Sequence, residues 1–70
     1  MLTVEHKEYG AGRAICFREG DGVTYLVVDF GSKTESFRYP QAFSGELVAC
    51  DPDVARAIAE ELAAMTDGGK

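Results

Sequence analysis

His6, Cys16 and Cys50 are the side chains of this 70-residue chain with the chemistry of a base, a nucleophile or a soft metal ligand. A histidine beside a cysteine could make a thiolate pair, and the three together could hold a metal. Their spacing supports neither reading. Structural zinc sites draw ligands from closely spaced pairs, and here His6 and Cys16 are ten positions apart and the two cysteines thirty-four. Nothing in the local sequence is expected to activate either thiol as a nucleophile. The expectation is that Cys16 is a small apolar residue within a strand and Cys50 the residue before a helix cap, and that His6 hydrogen-bonds a turn. The glycine pairs Gly10/Gly12 and Gly20/Gly22 fall between segments of β-type residues, so they read as turns; a phosphate cradle would need a strand on one side and a helix on the other. A non-enzymatic chain without cofactor or metal is expected.

The elements that would position these residues follow from periodicity. Residues 2 to 6 alternate apolar and polar, and Tyr9-Gly10-Ala11-Gly12 then turns the chain, with positive φ expected at Gly10 or Gly12 and the tyrosine ring closing one end of the fold. Residues 13 to 18 read as a second strand, with Ile15 and Phe17 on its core face. Asp21-Gly22 is a hairpin signal. Residues 23 to 30 form the most β-like stretch, sending Leu26, Val28 and Phe30 to the core and leaving Val23, Tyr25 and Val27 as an apolar row on the outer face. Residues 34 to 39 make a fourth strand with Phe37 inward, ended by Pro40, and residues 46 to 49 a short fifth.

After Cys50 the period changes. Asp51 is an N-cap, Pro52 occupies the first helical position, and Val54, Ile58, Leu62 and Met65 recur at spacings of four, four and three along one stripe. The organisation read from this pattern is a barrel over residues 1 to 50, a helix over 51 to 65 packed on the barrel or projecting from it, and a disordered tail over 66 to 70. The fold class is mainly β: a small, SH3-like, five-stranded barrel followed by one helix. The helix stripe and the outer row must each be covered, by one another or by a second copy in a homodimer.

Charge bounds the partners. The net charge is −5, with seven acids against five bases over residues 1 to 50 and five against two over 51 to 70. Phosphate binding rests on Lys and Arg displacing counterions, so nucleic-acid binding is expected to be weak or absent. The alternative site for it is a local patch of Lys7, Arg13 and Arg38. No apolar run approaches the ~20 residues of a membrane span, so no membrane partner is expected. No secretory leader precedes Leu2 and two cysteines make no disulfide framework, which together imply a reducing cytoplasmic setting.

On His6, Tyr9-Gly10-Ala11-Gly12, Val28-Asp29-Phe30 and Tyr39-Pro40-Gln41-Ala42-Phe43, the chain resembles the Tudor-like barrels at the C-terminus of UvrD/PcrA-type helicases. It is more loosely similar to the RNA-polymerase-interacting domain of CarD-type regulators. The resemblance implies a protein-interaction module, accessory to transcription or DNA-repair machinery. The candidate partner-binding residues are Tyr9, Arg38 and Phe43 on the loop rim and Val23, Tyr25 and Val27 on the outer row. Tudor-like barrels can cage a methylated cation, and Tyr9, Tyr25, Tyr39 and Phe43 are the rings that would have to converge; the reading preferred for them is core and surface.

Overall fold

The computed structural model describes residues 2 to 68. Five antiparallel strands form one sheet: β1 (Thr3–His6), β2 (Gly10–Gly20), β3 (Val23–Asp29), β4 (Thr34–Arg38) and β5 (Leu47–Ala49), in the order β4-β3-β2-β1-β5. A 3₁₀ turn, η1 (Gln41–Ser44), precedes β5, and the helix α1 (Pro52–Gly68) follows it. The chain is therefore mainly β with one C-terminal helix. The sheet does not close, because β4 and β5 are both edges; η1 packs against each of them.

Turn chemistry sets the connections. Asp21 and Gly22 have φ of 54° and 77°, the paired left-handed residues of a two-residue hairpin turn matched to strand twist. At the β3–β4 turn, Asp29 Oδ1 accepts from Gly31 N at 2.8 Å, and Gly31 takes φ of 93°. Gly10 has φ of 83°, whereas Gly12 is an ordinary strand residue paired with Val4. The Gly12 position is small for another reason. A Cβ there would lie 2.6 Å from the Phe30 ring and 2.7 Å from Val28.

The core comprises Val4, Leu26, Val28, Phe37, Ala42 and Leu47, with Phe30 partly buried against it. Ile15 and Phe17 do not belong to it, contrary to the alternation of β2, and are 56% and 55% exposed. For Ile15 the reason is a β-bulge. Ala14 pairs with Val28 but Cys16 with Val27, so Ile15 is an extra residue and the phase of β2 shifts there. Phe17 regains the face of Leu26 and sets its ring edge-on to Tyr39 at 5.0 Å, near the outer end of the hairpin.

Asp51 Oδ1 accepts from Asp53 N at 2.8 Å, capping α1, and Ala55 N donates to Asp51 O. The helix packs on β5 and η1 through Ile58, which is 4% exposed; Val54 and Leu62 are half-buried and Met65 is exposed. The stripe thus meets the chain's own sheet, and it does not cover Val23, Tyr25 and Val27. That outer row is not an open apolar strip either: Val27 is buried and the other two are half-buried. Of the disordered tail expected over residues 66 to 70, the part as far as Gly68 is instead the last turn of α1, and residues 69 and 70 lie outside the described residues. No helix among the described residues is long and apolar enough to cross a membrane.

Candidate binding site

The turn from β1 to β2 is organised by His6. The residue is 7% exposed, and Nδ1 accepts hydrogen bonds from Glu8 N at 3.0 Å and Tyr9 N at 3.2 Å. Two N–H groups aimed at Nδ1 leave the neutral ring its proton on Nε2. Tyr9 stacks on the imidazole with centroids 4.3 Å apart and planes inclined by 15°. Phe30 meets Tyr9 edge-on at 5.3 Å, and Phe37 lies 5.4 Å from His6. Lys33 Nζ stands 4.0 Å from the Tyr9 centroid, so the phenol lies between an imidazole and an ammonium. Glu35 pairs with Lys33 at 3.3 Å, and its hydrogen bond holds the ammonium pKa above the ordinary value.

Beside this cluster a trough of about 490 Å³ follows β4, floored by His6, Phe37 and Ala42 and walled by Lys7, Glu8 and Tyr9 on one side and Ser36 and Arg38 on the other. Two hydrogen bonds fix which way the β4 backbone faces. Tyr39 N donates to Thr24 O and Phe30 N to Lys33 O at the two ends of the β3–β4 ladder. Hydrogen-bonded pairs alternate along antiparallel strands, so Phe37 and Glu35 face β3, and the amides of Thr34, Ser36 and Arg38 face away from the sheet. This is an open strand edge running along a trough.

The structure brings Tyr9, Lys7 and Arg38 to that trough but places Phe43 elsewhere. Phe43 lies on η1, 6.0 Å from Tyr39, and borders a small apolar cleft of about 130 Å³ between β5 and α1. The four rings weighed as a cage do not converge: Tyr9 joins His6 and Phe30, Tyr39 and Phe43 join each other, and Tyr25 meets no ring. Nor do Lys7, Arg13 and Arg38 form one patch. Arg13 lies across from Asp29 beside a separate hollow that also includes Thr3 and Gly31.

Arg18 is the residue that sequence reasoning missed. The two-residue turn closes Gly20 on Val23, so Arg18 pairs with Tyr25, and Tyr25 pairs with Arg38, which sets the three in one row across β2, β3 and β4 on the outer face. The cysteines are both free and exposed, Cys16 on that outer face opposite Val27 and Cys50 after β5, so neither adjoins the buried His6. Among the described residues no three His, Cys, Asp or Glu side chains converge as metal ligands would.

Tyr39 ties the sheet to the helix. Its hydroxyl donates to Glu61 Oε2 at 3.0 Å, and burial, reinforced by that hydrogen bond and by the Glu61 charge, pushes the phenol above its ordinary value of 10.0. No protein-family model, curated protein or solved structure matches the chain.

Proposed function

We propose that the chain is an SH3-like, Tudor-like barrel, its remaining gap spanned by η1, that acts as a non-enzymatic protein-interaction module in the cytoplasm. The observation that carries this reading is the open edge of β4. Unpaired strand edges are templates for another chain, and this one offers the amides of Thr34, Ser36 and Arg38. An extended segment of a partner would add a sixth strand there. Ser36 supports it, being an exposed edge residue without a charge, and the adjoining trough gives alternate side chains of the added strand somewhere to sit. Such a module would serve a larger assembly, of which transcription or repair machinery is the example implied by the resemblance.

Ser36→Pro tests this directly. Proline removes only the amide that faces away from β3, a substitution that edge strands accept. The expected result is a folded variant with the wild-type melting transition that loses proteins retained by the wild-type chain in affinity capture from native extract. Capture of the same proteins by both would exclude the β4 edge as the interface.

A further inference from the structure

The outer face of β2, β3 and β4 has a charge opposite to that of the whole chain. In register it presents Arg13, Arg18 and Arg38 against one carboxylate, Asp29, which lies directly across from Arg13. Arg18 and Arg38 are exposed, and among the described residues neither is ion-paired. Between them stands Tyr25. Among the described residues it is the aromatic side chain that meets no other ring, and a hollow opens on either side of it, about 300 Å³ beside Arg18 and about 490 Å³ beside Arg38. Neighbouring strands are about 4.8 Å apart, so the two arginine backbones flank the tyrosine at a separation of roughly 10 Å.

We propose that this face binds single-stranded nucleic acid, with one base stacked on Tyr25 and the phosphates to either side of it on Arg18 and Arg38. Sequence-tolerant single-strand binding combines these two parts, a cationic track for the backbone and an aromatic ring for a base. An acidic peptide would use the guanidinium groups and leave the ring without a role. Carboxylates border the site as well, Glu19 at the hollow beside Arg18 and Glu8, Glu35 and Glu46 at the one beside Arg38, so the cationic track is limited to the outer face itself. Two phosphate contacts make a weak, salt-sensitive site; it adjoins the β4 edge at Arg38 and reaches away from it at Arg18, two strands off.

The test is fluorescence anisotropy of labelled oligo(dT) and oligo(U), about eight nucleotides long, titrated with the full chain over a series of low salt concentrations. Two phosphates predict a slope of log K against log salt near about −1.4, falling by about 0.7 in Arg18→Ala and in Arg38→Ala. Tyr25→Leu is expected to weaken binding about fivefold or more at unchanged slope, and Tyr25→Phe to retain it. Arg18→Ala, two strands away from the β4 edge, should still capture the proteins that the wild-type chain retains, which separates this site from the proposed protein interface. Chemical-shift mapping on the unsubstituted protein should move the Arg18, Tyr25 and Arg38 amides together. Absence of binding at low salt, or shifts confined to another face, would overturn the proposal. So would binding of polyglutamate with the same arginine dependence and no effect of Tyr25→Leu, which would identify an acidic-peptide site.

Discussion

Gly10 and Gly12 stand one residue apart and are glycine for different physical reasons. Gly10 has φ of 83° with nothing near its missing Cβ, so the constraint there is backbone conformation. Gly12 has strand geometry, and its missing Cβ is occupied by Phe30 and Val28. Gly10→Ala is expected to cost about 1 to 2 kcal/mol from left-handed strain, and Gly10→Asn less, because asparagine tolerates that region. Gly12→Ala is expected to cost about 1 to 3 kcal/mol as overpacking. Denaturant melts will separate the two causes. Phe30→Leu should recover part of the Gly12→Ala loss and none of the Gly10→Ala loss, because only Gly12 adjoins that ring.

At the scale of elements, Tyr39 and Glu61 give a pH signature for helix docking. A folded phenol pKa above the unfolded value means that the contribution to stability is complete below the ordinary value of 10.0 and is lost as pH rises through the folded pKa. Wild type should therefore exceed Tyr39→Phe in melting temperature by a constant margin from pH 7 to about 9, and that margin should shrink above about pH 10. A margin that grows with pH would mean that the hydroxyl does not donate to Glu61. Elements of this kind were legible in sequence where a residue type has one use: Asp21-Gly22 at the hairpin and Asp51-Pro52 at the helix start both fold as their chemistry dictates. The bulge at Ile15 was not, because a β-branched residue in the run from Ala14 to Phe17 carries no mark of being unpaired. The Asp21-Gly22 turn fixes β2 from Cys16 to Gly20, so everything on β2 before the bulge changes face as a result. Arg13 and Arg18 are five residues apart and would oppose one another in a regular strand, yet they share the outer face, so the place of Arg13 there was hidden by the bulge at Ile15.

In the whole molecule, the helix and the sheet are joined by a narrower set of contacts than the strands are to each other. The main cluster from Val4 to Leu47 is assembled entirely from strands and η1; Ile58 is buried but stands outside it, against β5 and η1. That separation predicts two levels of stability within one small domain. Ile58→Ala should cost the helix about 2 to 5 kcal/mol, and Met65→Ala, at a position 47% exposed, should change little. Ile58→Asp places a charge in the seam and should release α1 without unfolding the sheet. Hydrogen exchange on that variant should show amides of the helix unprotected while those of Leu26 and Val28 keep their protection, because the strand cluster is complete without the helix. Simultaneous loss of protection in both would mean instead that β5, held on one side by β1 alone, depends on the helix for its place in the sheet, and that the chain folds as one cooperative unit.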